Sequence, residues 1–139
     1  MSPIEKIEIS RPAAELVNDF THWLEGKGII VYAVVHHTED MKARGIDPQI
    51  DAWTVIFGNP TLGAAFLEDS SDVVVDIPLR LGLYQKEEGE TVVVRRYMEE
   101  LFADYQVPSL VVKSRKADGL IDQWIALMKG FNRFINLYL

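Results

Sequence analysis

The stretch that most constrains the fold runs from residue 52 to residue 84, where two strand patterns enclose a sharp turn and a short helix. Residues 52–57, AWTVIF, are apolar or small on both faces of an extended chain, which is typical of an interior strand. Asn59 and Pro60 then predict a helix start, because asparagine is a favoured N-cap and proline is tolerated at the first helical position. This succession predicts an α+β domain, in which helices pack on a sheet.

A β-hairpin is predicted over residues 73–85 and 91–97, with the charged segment 85–90 as its turn. Side chains alternate between the two faces of a strand, so the first strand separates two sets of side chains. One face holds Ile77, Leu79, Leu81 and Leu83, and the other holds Pro78, Arg80, Gly82 and Tyr84. Asp76 shares the face of Arg80 and is a candidate ion-pair partner for it.

Other elements precede this region. Residues 4–9 predict a short edge strand, and the continuous apolar run of residues 29–35 predicts a second strand. Thr38 is predicted to cap a short helix over residues 39–44. A longer helix between the two strands is marked by apolar residues at helical spacing, namely Ala13, Val17, Phe20 and Leu24.

The C-terminal segment predicts a helix over residues 120–139 that is apolar around more than half of its circumference. Burial of one large apolar side chain contributes roughly 1.5–3 kcal/mol, a large share of a stability of about 5–15 kcal/mol. We therefore expect one flank of this helix to pack on the domain and the other on a second copy, as a homodimer. The 139 residues are interpreted as one domain, with a core over 11–107 and a C-terminal helical extension over 117–139.

Composition excludes several functional classes. The net charge of −7 argues against a sequence-independent nucleic-acid binder, which needs a basic surface. The basic cluster at residues 113–116 is interpreted as a solvated loop. The absence of cysteine excludes disulfides, thiolate catalysis and cysteine metal sites. No apolar signal-peptide core or bilayer span is recognisable, so we expect a cytoplasmic protein with no membrane partner.

Several short motifs occur together in one order along the chain. They are Gly26-Lys27-Gly28-Ile29, His37, Ala43-Arg44-Gly45-Ile46, Phe57-Gly58-Asn59-Pro60-Thr61-Leu62-Gly63, Asp76-Ile77-Pro78-Leu79-Arg80 and Arg96-Tyr97. Over residues 11–107 the sequence resembles the domain-of-unknown-function family numbered 302 (DUF302). The resemblance implies a curved, mainly antiparallel sheet backed by helices, similar to the TATA-binding-protein arrangement. It implies no established activity, and a shared sheet is not evidence of DNA binding because folds host unrelated functions.

The leading hypothesis for a site is a small anion or metabolite near His37, Thr38, Asn59 and Arg80. Helix N-termini present free N–H groups and a positive dipole end, and both Thr38 and Asn59 are predicted to open helices. If the two preceding strands run parallel, both helix starts face one edge of the sheet. The guanidinium group of Arg80 can donate two parallel hydrogen bonds to a carboxylate or phosphate. The alternatives are that Asn59 serves only as a helix cap, and that Arg80 only forms an ion pair or hydrogen bonds, for example with Asp76, or lies in an interface.

His37 is the candidate catalytic residue if the protein is an enzyme. Its reference pKa near neutrality suits acid–base work, with Arg80 stabilising a negatively charged transition state. His36 and His37 are adjacent on a strand end and point to opposite faces, so no metal site is predicted. No nucleophile or phosphate-loop motif is present and no cofactor is expected. A non-enzymatic homodimeric binding domain is preferred, with the enzyme and a purely structural oligomer as alternatives.

Overall fold

The structure is a computed structural model that describes the backbone of residues 4–138 and the side chains of residues 4–130. Five strands and five α-helices occur in it, with two short 3₁₀ helices at Ser71–Val75 and Ala103–Tyr105. The strands are β1 (Ile4–Ile9), β2 (Ile30–His36), β3 (Asp51–Gly58), β4 (Leu79–Glu87) and β5 (Glu90–Arg96). The helices are α1 (Ala13–Gly26), α2 (His37–Lys42), α3 (Pro60–Asp69), α4 (Met98–Phe102) and α5 (Pro108–Tyr138).

The strands form one open antiparallel sheet in the order β1-β5-β4-β3-β2. The predicted α+β class, the helices on a sheet and the additional C-terminal helix are confirmed. β1 lies at one edge, as its sequence predicts, and β3 is interior, as expected for a strand that is apolar on both faces. The hairpin of β4 and β5 is also present, although its first strand begins only at Leu79 because residues 71–75 form a 3₁₀ helix.

One face of the sheet packs against the helices and forms the core. The leucines of β4, the alternating apolar residues of β1 and β3 and Val93 of β5 lie on this face together with the stripe of α1 predicted from its spacing. Phe20 of α1 packs edge-on against Phe57 of β3 and lies against Trp124 of α5, with ring centroids 5.2 and 4.7 Å apart. The sheet therefore contributes one buried face. The other, which we call the open face, has only half-buried or exposed side chains on its strands.

The C-terminal helix begins much earlier than predicted. α5 starts at Pro108, so the basic cluster of residues 113–116 lies on a helix and the prediction of a loop there is wrong. Lys113 in this cluster contacts Asp69 at 3.2 Å and donates to the carbonyl of Ala65 at 3.0 Å, which joins α5 to α3. Among the described side chains of α5, five belong to the core, namely Leu110, Ala117, Ile121, Trp124 and Ile125.

The predicted apolar surplus of α5 is only partly visible. Within its described side chains Leu127 is 51% exposed and Val112 is 56% exposed, whereas Trp124 is 1% exposed. The remaining residues behind the prediction, from Phe131 to Leu139, lie outside the described side chains. Among the described residues no helix is both long and apolar enough to span a bilayer.

Candidate functional site

A cavity of about 340 Å³ lies at the end of the sheet where β3 turns into α3. Gly58 ends β3 at this point, and a Cβ at that position would lie 3.2 Å from the Tyr32 ring, so glycine lets the ring approach this closely. The lining is mainly apolar and includes Tyr32, Gly58, Asn59, Leu62, Ile77 and Pro78. The Asn59 turn and the start of β4 thus meet around one space, of a size typical of small-molecule pockets.

Asn59 is the N-cap of α3, as the sequence predicts. Its side-chain oxygen accepts from the N–H of Thr61 at 2.9 Å and from the N–H of Leu62 at 3.4 Å, with Pro60 at the first helical position. These N–H groups are therefore already satisfied by the protein itself. An anion at this end of the sheet needs a different donor.

Replacing Asn59 by alanine should lower the free energy of unfolding by about 1 kcal/mol, because it removes the acceptor of two helix-terminal N–H groups. Asn59→Ser is the matched control, since serine also caps helices and should lose much less. Urea denaturation of the three proteins measures the difference. Equal stabilities of the alanine and serine variants would show that the cap contributes nothing here.

Arg80 lies on β4 near the cavity and faces away from the core. It is exposed, and it has no hydrogen bond or ion pair with any side chain described between residues 4 and 130. Asp76, its predicted partner, instead accepts from the hydroxyl of Tyr105 at 2.5 Å. Burial, together with this hydrogen bond, raises the pKa of Tyr105 to about 12. Arg80 is therefore available to a ligand, and the interpretation that it is satisfied by Asp76 is not supported.

Arg96 is a second candidate that sequence analysis did not assign to the site. β4 and β5 pair at Gly82 and Val94, and the same register continued for two residues places Arg80 opposite Arg96. Arg96 is exposed, and it too lacks an ion pair within the described part of the chain. Like charges on facing strand positions are unfavourable unless an anion lies between them. The pairing of the two hairpin strands was the signal that could have identified Arg96.

His37 and Thr38 lie at the other end of the sheet. β2 and β3 are antiparallel, so the condition under which both helix starts would face one edge is not met. His37 is hydrogen-bonded through its Nε2 to the hydroxyl of Thr54 at 2.8 Å on the open face. About five residues of extended β3, roughly 16 Å, separate Thr54 from Asn59. The structure therefore brings Asn59 and the Arg80 strand together but does not add His37 or Thr38 to them.

Thr38 is not a helix cap, because α2 begins one residue earlier, at His37. Its buried hydroxyl donates to the carbonyl of Ile50 at 2.9 Å and accepts from the N–H of Ala52 at 2.8 Å. Both hydrogen-bonding roles of the hydroxyl are thus used to fasten α2 to the start of β3. The prediction of an N-cap is wrong, and the side chain is occupied structurally.

His36 faces the helix side of the sheet, opposite to His37. It contacts Asp51 at 2.6 Å, and its ring stacks on Trp53 with centroids 3.5 Å apart. This contact makes His36 part of a structural cluster. No group of three or more histidine, aspartate or glutamate side chains in the described ranges is arranged to hold a metal ion.

A second cavity of about 270 Å³ lies on the helix side of the same turn, between α3 and α5. Asn59 and Leu62 line both cavities, so the turn separates them. Lys116 of α5 is the cation in the lining of this second cavity. An apolar ligand with a negative charge thus has two possible neighbours, Arg80 for the first cavity and Lys116 for the second.

Comparisons with known proteins agree with the fold. A family model described as "Domain of unknown function DUF302" matches residues 5–124. A crystal structure of an uncharacterised conserved DUF302 protein from Bacillus stearothermophilus is similar to this chain with a TM-score of 0.77 and 20% sequence identity, covering 92% of this chain and 96% of the other. No curated protein matches the sequence. The family match extends into α5 as far as Trp124. The last described core residue, Ile125, is the next residue of the chain.

Proposed function

The chain belongs to the DUF302 family, whose description names no activity, and from the geometry of its cavity we propose that it is a homodimeric binding domain for a small ligand with an apolar body and one negative charge. The observation that supports this most is the cavity shared by the Asn59 turn and the start of β4, beside an arginine that has no partner among the described side chains. The apolar lining suits the body of the ligand, and Arg80 suits a carboxylate or phosphate.

Arg80 is close enough to the cavity for this role. Arg80 is not itself one of the residues that line the cavity, but Pro78 lines it, and two residues of extended chain, about 7 Å, separate Pro78 from Arg80. Arg96 stands next to Arg80 in the continued register and can add a second charge. Because Asn59 uses the helix N–H groups of α3, the arginines supply the charge recognition in this proposal.

The enzyme alternative is less well supported. His37 is at the far end of β3 from the cavity, and its described hydrogen bond to Thr54 gives it a structural partner. Proton transfer needs hydrogen-bond reach to the substrate. A ligand in the cavity would not be within such reach of His37, so binding without catalysis is the simpler function for this site.

A thermal-shift experiment with octanoate tests the proposal. Octanoate has an apolar chain and a carboxylate, and its two matched probes are 1-octanol, which lacks the charge, and acetate, which lacks the chain. A ligand that binds only the folded state raises the melting temperature. We expect octanoate to raise it clearly more than either matched probe. An equal shift with 1-octanol would contradict a role for a cation.

Three variants locate the binding. Arg80→Gln should abolish most of the octanoate shift, and Gly63→Leu should do so by filling the cavity, because a Cβ at Gly63 meets no atom within 4 Å and the residue lines the space. Lys116→Gln is the control for the second cavity. If the shift survives Arg80→Gln and is lost in Lys116→Gln, the ligand binds between α3 and α5 and Arg80 is not part of the site.

The homodimer is proposed from apolar surface that remains uncovered. Two surfaces are candidates, the flank of α5 with Val112 and Leu127 and the open face of the sheet. Sedimentation equilibrium of the full chain measures the mass directly. A monomer over the whole accessible concentration range would contradict this part of the proposal without affecting the ligand site.

A further inference from the structure

The open face combines apolar side chains at its centre with charges of opposite sign. Val92 and Val94 of β5 are half-buried there, with Tyr84 of β4 beside them. Exposed apolar patches rimmed by charged residues mark protein interfaces more often than free surface. The strand register shows how the charges are arranged around these residues.

Two rows of facing residues cross the open face. The first, which we call the lysine row, runs over β1, β5 and β4 and consists of Lys6, Val94 and Gly82. The second, the glutamate row, is two residues further along the same strands and consists of Glu8, Val92 and Tyr84. On β1 the two rows carry opposite charges, Lys6 and Glu8. On β4 they differ in side-chain size, with Gly82 in the lysine row and Tyr84 in the glutamate row.

We infer that two copies of this chain pair through their open faces about a two-fold axis that crosses the strands at the level of Val93, so that the lysine row of each copy packs on the glutamate row of the other. This inference rests on the homodimer proposed above and adds its surface and its orientation. Face-to-face packing of two sheets with strands roughly aligned is a common arrangement. A two-fold interface requires a surface that complements itself.

The rotation about this axis exchanges the two rows. Lys6 comes opposite the partner's Glu8, Val94 opposite the partner's Val92, and Gly82 opposite the partner's Tyr84. The small residue thus faces the large ring, and the unlike charges face each other. Further along β5, the exposed Arg96 comes opposite the partner's Glu90, which also has the opposite charge.

The other two-fold arrangement is unfavourable. An axis parallel to the strands would place each end of β5 on the same end of the partner strand. Arg96 would then face the partner's Arg96, with Arg80 close to both. Like charges in contact oppose association, so the charge pattern selects the axis that crosses the strands.

Gly82 provides a variant that separates self-association from folding. A Cβ at position 82 would meet its nearest atoms, in Val94, at 3.7 Å, which is ordinary van der Waals contact. A Cβ at position 82 is therefore compatible with the single chain, and Gly82→Leu removes a glycine from a strand interior, where glycine is unfavourable. In the dimer the new side chain would take the space of the partner's Tyr84, so we expect it to weaken self-association by about tenfold or more.

A mixing experiment tests the contact between Val94 and the partner's Val92. Val94→Lys and Val92→Glu each place a charge against an apolar residue of the partner, so each variant alone should be monomeric by sedimentation equilibrium where the wild type is a dimer. An equimolar mixture of the two should form a heterodimer, because the lysine introduced into one chain then faces the glutamate introduced into the other. Leu127→Lys on α5 is the control and should remain dimeric, since this residue lies away from the open face.

The results for these variants distinguish the open face from the flank of α5 as the dimer interface. Dimers of Val94→Lys and Val92→Glu as strong as the wild type, or loss of the dimer in Leu127→Lys alone, would overturn the open-face interface but leave the proposed homodimer in place. Monomeric single variants whose mixture stays monomeric would overturn the orientation. None of these residues lines the cavity at the Asn59 turn, and Gly63→Leu and Lys116→Gln change no residue of the open face, so the octanoate shift in those two variants tests the ligand site separately from the interface.

Discussion

Asp118→Ala should lower the free energy of unfolding by about 3–5 kcal/mol, the range measured when one partner of a buried ion pair is removed. Asp118 is buried on α5 and contacts Arg95, whose side chain is wholly buried, at 3.4 Å. One carboxylate oxygen accepts from the N–H of Met98 at 2.8 Å and the other from the N–H of Glu99 at 2.9 Å. The substitution therefore weakens the neutralisation of a buried cation and uncaps α4 at once.

The environment of Asp118 explains why partners are needed. Burial raises the pKa of Asp118, while the hydrogen bonds from Glu99 and Met98 and the charge of Arg95 oppose this rise. A buried carboxylate without such partners would be strongly unfavourable. Urea denaturation measures the loss, and Asp118→Asn, which keeps one acceptor but not the charge, should lie between the wild type and the alanine variant.

Asp122→Ala is the matched control on the same helix. Asp122 also pairs with Arg95, but its side chain is 58% exposed, and Arg95 would keep Asp118 and the face of the Tyr97 ring, 4.1 Å away. We expect a clearly smaller loss than for Asp118→Ala. An equal loss of the free energy of unfolding in the two variants would show that only the charge pairing with Arg95 matters and that the cap on α4 contributes nothing.

Truncation after Ala117 should abolish cooperative folding. It removes Ile121, Trp124 and Ile125 from the core, and each buried apolar side chain of this size contributes roughly 1.5–3 kcal/mol. It also removes both carboxylates that face Arg95. The summed loss is comparable to the whole stability of a domain, about 5–15 kcal/mol.

A chain that ends at Gly130 is the control for this truncation, because it keeps every described core side chain of α5. We expect a cooperative thermal transition from the longer fragment and none from the shorter, measured by circular dichroism. A folded chain ending at residue 117 would contradict the assignment of α5 to the core. The extension predicted over residues 117–139 is thus, in its first half, part of the core itself.

Local chemistry explains most of the successful predictions. The Asn59 cap, the leucine face of β4 and the stripe of α1 all depend on neighbours within a few residues, so spacing alone predicts them. The early start of α5 was missed because the basic cluster of residues 113–116 suggests solvent, whereas Lys113 bonds to α3 and Ser114 is buried. At residues 113–116, contacts with the rest of the fold determined the structure, and the local sequence pattern did not.

The sequence by itself determined most of the strands and helices, the family and the presence of an arginine shortly after an Asn-Pro helix start. Only the tertiary structure decided the direction of β2 relative to β3, and with it the separation of His37 from Asn59. The same holds for Arg96, which comes next to Arg80 through strand pairing, and for Asp118, whose partners lie about 20 residues away along the chain. Strand order and long-range charge pairs depend on how whole faces are buried against one another, and that information is not contained in any short stretch of residues.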